Sequence, residues 1–153
     1  MNPREVRDLF ESSRQARQDL DHRRERLVAL RAASVSSGIP QAIQGGVSDP
    51  TATLGQALAD MDGEEQRRTE SLLLSRIARA KRLCSGVRRC FRMAAGDVLE
   101  DYYVNGLSWA QVAALNSVGR TSAIRLRDVA FEWIATVGEA KAVAGEGMAQ
   151  DAD

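Results

Sequence analysis

The sequence predicts an all-α protein, a long helical hairpin or coiled coil followed by a C-terminal helix-turn-helix. Three observations lead there. The composition is rich in Ala, Leu and Arg, with only 5% aromatic residues and 3 prolines in 153 residues. Two long stretches repeat apolar positions at steps of three and four, the period of one helix face. A shorter stretch, LSWAQVAALNSVGRTSAIRLRDVAFEWI at 107–134, reads as two helices joined by a tight turn.

The length allows one domain or two small ones. A hydrophobic content of 44% and a charged content of 27% are those of a soluble globular chain. No apolar run approaches the roughly 20 residues that span a bilayer, so no membrane partner is expected. The opening MNPREVRDLF is charged where a secretory leader needs an apolar core, which implies a cytoplasmic location. The formal net charge is zero but unevenly spread. Residues 64–93 hold 9 basic and 3 acidic side chains, whereas 94–137 hold 3 and 5.

The first helix starts at Pro3, a residue suited to a first helical turn. Its seam runs Val6, Leu9, Ser13, Ala16, Leu20, Arg23, Leu27 and Leu30, with Ser13 and Arg23 as polar interruptions that set register. Residues 34–50, with three glycines and two prolines, read as a loop. Gly45-Gly46 lacks the Lys and Ser/Thr of a phosphate loop and reads as a turn. A short amphipathic helix is expected over 51–61. From Glu64 a second long helix carries Leu73, Ile77, Ala80, Cys84, Val87, Phe91 and Ala94 on one face. Arg67, Arg68, Arg76, Arg79, Lys81, Arg82, Arg88, Arg89 and Arg92 crowd its other side. Paired seams of this kind predict an elongated homodimer, with a hairpin inside one chain as the competitor. Ser85-Gly86 or Ala95-Gly96 either bends this helix or ends it, and Val87 to Val104 reads as a scaffold helix closed by Asn105-Gly106. The domains expected are 1–93, 94–137 and an acidic, disordered tail at 138–153. Cys84 and Cys90, about 240° apart around a helix, read as small buried hydrophobes, and with one His they form no zinc set. Neither a metal nor a cofactor is expected.

The helix-turn-helix carries the functional reading. Ser108 is an N-cap, and Val112, Ala113 and Leu115 give a short first helix its apolar side. Ala113 is small where the two helices must cross. The turn at 116–119 places Ser117 where a residue tolerant of positive φ is wanted. The second helix then repeats Ala123, Leu126, Ala130, Trp133 and Val137 inward. Its N-terminal half would enter the major groove, with Arg120, Thr121, Ile124 and Arg125 at base edges. Ser108, Ser122, Arg127, Arg88, Arg89 and Arg92 are the expected phosphate contacts. Trp109 is expected to bridge this helix pair to Tyr102.

Leu99, Tyr102, Tyr103, Gly106, Ser108, Trp109, Val112, Ala113, Arg120, Arg125, Leu126 and Ala130 follow a pattern of helix, Gly, Ser-Trp, Val-Ala, turn and Arg-bearing helix. This segment of about 36 residues resembles the C-terminal module of RinA/ArpU-like phage transcriptional regulators, itself similar to region four of sigma factors. The resemblance implies a phage or prophage regulator that binds promoter double-stranded DNA and contacts RNA polymerase. It departs from the pattern at Asn116, where an apolar residue is usual, and at Ser117, where Gly is usual. Two other functions compete. A small terminase subunit also joins a helix-turn-helix to a helical oligomerisation region, and a helical protein-interaction adaptor would not bind DNA at all. An enzyme is not expected, because no acid, base and nucleophile converge.

Overall fold

A computed structural model describes residues 1–36 and 50–145. Its helices are α1 (Pro3–Ser36), α2 (Pro50–Cys90), α3 (Met93–Leu99), α4 (Trp109–Leu115), α5 (Arg120–Val137) and α6 (Glu139–Ala144), and α3 runs on into a π-helical turn at Glu100–Val104. No strand occurs among the described residues, so the chain is all-α there. None of these helices is long and apolar enough to cross a membrane.

Several boundaries differ from the sequence reading. Residues 34–36 belong to α1 and Pro50 opens α2, so the loop expected at 34–50 is shorter; its remainder, Gly45-Gly46 included, lies outside the described residues. Residues 51–61 are the start of α2 rather than a separate helix, because a glycine at 63 costs a helix only about 1 kcal/mol. The scaffold helix expected from Val87 to Val104 is broken at Phe91-Arg92, where Arg92 is extended (φ −146°, ψ 129°). Gly86 and Gly96 end nothing. They lie inside α2 and α3 where another backbone comes close: a Cβ on Gly86 would stand 2.0 Å from the Ala142 carbonyl oxygen, and one on Gly96 2.8 Å from that of Cys84. The tail expected at 138–153 is helical over α6, which ends on Gly145 at φ 80°; residues 146–153 lie outside the described residues.

The chain divides into two compact units, and the division does not fall at 93/94. One unit joins Met1–Gln18 to the chain from Leu73 onward; the other is Asp19–Leu72. In the larger unit the seams behave as read. Val6, Leu9, Ser13 and Ala16 of α1 are buried, as are Leu73, Ile77, Ala80, Cys84 and Val87 of α2. Ala94 is exposed because α2 has already ended. The buried Cys84 and Cys90 are free thiols, and burial pushes the Cys84 thiol far up. All seven aromatic side chains of the protein lie in this unit, and they define its core. Phe10 of α1 packs against Phe131 of α5 at 5.1 Å and Tyr103 at 5.3 Å, and Phe91 stacks on Trp133 at 5.5 Å. The three-four repeat in α5 did not single out Phe131 or Ile134, yet both are buried.

In the smaller unit α1 and α2 flank a shallow groove lined by His22, Arg23, Arg26, Leu27, Gln66 and Glu70. Leu20 is buried, but Leu27 and Leu30, which continue the same seam, are 41% and 57% exposed. The polar interruption at Arg23 lies beside Glu65, Gln66 and Thr69.

Candidate nucleic-acid interface

The α4–turn–α5 pair is held on a prepared support. The π-helical turn widens the end of α3, with the Asn105 N–H donating to the Glu100 carbonyl at 2.9 Å. Carbonyls at such an end lack helical partners. Here α1 satisfies them: the Ser13 hydroxyl donates to the Tyr103 carbonyl at 3.0 Å, and the Arg14 guanidinium donates to those of Tyr102 and Leu107 at 2.5 and 2.9 Å. Ser13 is thus a buried polar residue with a partner, which is how it sits in an apolar seam without loss. Gly106 turns the chain at φ 77°. Trp109 then stacks on Tyr102 at 4.0 Å and 14°, the bridge that the sequence pointed to.

Ser108 caps α4 in a reciprocal box: its hydroxyl accepts from the Gln111 N–H at 3.2 Å, and the Gln111 side chain accepts from the Ser108 N–H at 2.9 Å. Gln111, three residues after Ser108, completes the box from the sequence position that such caps use. At the other end α4 closes in a Schellman motif, with the Val118 N–H on the Ala113 carbonyl and the Ser117 N–H on that of Ala114. Ser117 occupies the left-handed position at φ 53°. Asn116 donates to Asp101 at 2.9 Å and to the Val112 carbonyl at 2.8 Å, tying the turn to the π-helical segment. An apolar residue there could make neither bond. Val98, Val112 and Ala123 form the buried centre of the pair, with Val118 and Leu126 packed around it. Leu115, read as part of the apolar side of α4, is instead 66% exposed. It follows Val112 by three positions and is the last residue of a seven-residue helix.

The expected contact residues fall into two groups. Arg120, Thr121, Ser122 and Arg125 are exposed on the first turns of α5, and Ile124 is half-buried beside them. No side chain caps α5, so its first N–H groups are open at the surface. Arg92, at the break between α2 and α3, lines one shallow concavity with Ser122, Arg125, Leu126 and Val129. Sequence distance concealed this meeting of Arg92 with Arg125.

The other three arginines are engaged elsewhere. Arg88 bridges to Asp97 at 2.8 Å and to Glu100, pinning α2 to α3 and the π-helical turn. Arg89 donates to the Val143 carbonyl at 2.9 Å, at the end of α6. Arg127 pairs with Asp128 at 2.8 Å and lies over the Trp109 ring, with its side chain only 16% exposed. Burial pushes the Tyr103 phenol up to about 12, opposed by the nearby Arg127 charge. In this structure Arg88, Arg89 and Arg127 are thus held by partners within the chain, and phosphate contact by any of them requires exchanging those bonds.

No family model, no curated protein and no solved structure matches this chain. Its electrostatics therefore rest on its own residues. The segment 94–137 has two more acids than bases, but four of its five acids have partners within the chain: Asp97 and Glu100 on Arg88, Asp101 on Asn116, and Asp128 on Arg127 and Arg7; Glu132 is exposed on α5. The open end of α5 is left with Arg92, Arg120 and Arg125.

Proposed function

We propose that this chain is a sequence-specific DNA-binding transcriptional regulator of the kind its resemblance to RinA/ArpU-like phage regulators implies, with α5 as the helix that enters the major groove. The observation that carries this reading is the exposed cluster of Arg120, Thr121, Ser122 and Arg125 on an uncapped helix N-terminus, with Arg92 beside it and four of the module's five acids paired elsewhere. Thr121 and Arg125, four residues apart, share a face of α5. Arg120 reaches the groove from the open end. Arginine pairs bidentately with guanine, and an open helix N-terminus favours phosphate. In this reading Arg120, Thr121 and Arg125 read bases with Ile124 against a thymine methyl, while Arg92 and Ser122 hold phosphates. A second copy of the chain is the partner proposed for the exposed Leu27 and Leu30, which continue a seam whose earlier members are already buried. RNA polymerase is a further partner that the resemblance implies.

The test is selection of bound duplexes from a random-sequence pool at low salt. A shared motif in the retained DNA is the expected result. Retention without any motif would point to the sequence-blind charge of α2, and no retention would leave the interaction-adaptor reading in its place.

A further inference from the structure

Arg79, Arg82, Gly86 and Arg89 follow one another along α2 at steps of three, four and three, a single stripe on the helix. α6 lies along this stripe at Arg79, Gly86 and Arg89, while the three arginines keep exposed surface beside it. Arg79 holds Glu139 by two parallel bonds, Nε to Oε1 and Nη2 to Oε2, each 2.6 Å. The Glu139 carboxyl is held below its ordinary range by that bond, with Arg82 adding its field. Gly86 admits the Ala142 backbone, since any Cβ would collide with it, and Ala142 is fully buried. Arg89 closes the far end on the Val143 carbonyl. The short helix thus presents a carboxylate, a carbonyl and a small side chain to three cations and a gap. A two-bond pairing of Arg with a carboxylate has the same fork geometry as Arg with a phosphate.

We propose that the Arg79–Arg82–Arg89 stripe is a second phosphate-tracking surface, occupied by α6 in the free protein and yielded to the sugar-phosphate backbone of DNA when the protein binds. The inference rests on the DNA-binding reading above and extends it to a surface remote in sequence from α5. The occupant is suited to exchange. α6 has six residues, and its main polar anchor is an ion pair with the Arg79 side chain half exposed, a class that stabilises only weakly. A phosphate backbone gains counterion release on the same arginines, which a single carboxylate does not.

The experiment compares the full chain with Glu139→Gln, which removes the anchor, and Gly86→Ala, which blocks the seat of α6 while improving α2 helix propensity. Binding to a random-sequence duplex is titrated across salt, and hydrogen exchange follows the Ala142 and Gly145 amides, which donate to the Gly138 and Lys141 carbonyls. Both variants are expected to bind about two- to fivefold more tightly than the parent at low salt, the release of one exposed ion pair. In the parent, saturating DNA is expected to strip exchange protection from α6 and to give a salt slope steeper by about 0.9 for each stripe arginine engaged than that of an Arg79→Gln, Arg82→Gln, Arg89→Gln variant. If Gly86→Ala unfolds, Glu139→Gln decides alone. Unchanged affinity in Glu139→Gln, or α6 amides protected equally with and without DNA, overturns the proposal. That failure is distinct from failure of the DNA reading, in which neither the parent nor any variant binds duplex at low salt, and then both fall.

Discussion

Ser117 sits at φ 53°, in the left-handed region that an L-residue with a Cβ occupies at a cost. The Schellman bonds around it and the Asn116–Asp101 bond hold it there. Ser117→Gly is therefore expected to stabilise the protein by about 1 kcal/mol, a rise in melting temperature of roughly 2–4 °C for a chain this size. A thermal melt checks it; a fall would mean that the Ser117 side chain makes a contact worth more than the strain. This position was legible, since the turn called for glycine and the chain offered serine. The roles of the arginines were not. Arg88 and Arg92 look alike in sequence, but Arg88 is claimed by Asp97 and Glu100, whereas Arg92 opens onto Ser122 and Arg125. Arg88→Ala would leave two partly buried carboxylates without their cation, and it is expected to cost about 1–3 kcal/mol in a denaturant titration. Arg92→Ala is expected to change stability by less than about 0.5 kcal/mol. Equal effects at both positions would show that Arg88 is no pin.

Among the elements, the long periodic helices were readable because many residues repeat the same signal, and their buried seams follow it from Val6 to Leu20 and from Leu73 to Val87. The break at Phe91-Arg92 has no Gly or Pro to announce it, and the true glycines nearby serve close packing instead of termination. Periodicity says which face is buried, not what it meets. So α6 was hidden as well, because its stability comes from α2, a partner more than fifty residues away. That dependence predicts a pH effect. Glu139, facing Arg79 and Arg82, has its folded pKa depressed, so its contribution is fully present above the ordinary glutamate value of about 4.3 and is lost as pH falls through the lower folded value. Hydrogen exchange at the α6 amides is expected to accelerate relative to α5 in that acid window. In Glu139→Gln this pH dependence should vanish; its persistence would assign it to another carboxylate.

At the scale of the whole molecule, Met1–Gln18 belongs with the C-terminal helices, so the proposed DNA-reading module is completed by the start of the chain. The polar residues Ser13 and Arg14 signal this only in hindsight, through the carbonyls of Tyr102, Tyr103 and Leu107 that they satisfy. The seam residues expected to build a dimer are largely buried within one chain, which leaves Leu27 and Leu30. Sedimentation is expected to show a concentration-dependent dimer that Leu27→Gln with Leu30→Gln converts to monomer, and a parent that stays monomeric at high concentration would remove the second copy from the account.

The central claim, that α5 reads bases while Arg92 holds phosphate, is tested most directly by titrating Arg125→Ala and Arg92→Gln against the selected duplex and a random one in parallel. Arg125→Ala is expected to weaken the selected duplex by roughly 1–3 kcal/mol and to leave the random duplex nearly unchanged. Arg92→Gln is expected to weaken both alike and to make the salt slope shallower by about 0.9. If Arg125→Ala weakens both duplexes equally, or neither, α5 does not read sequence through this residue and the claim is contradicted.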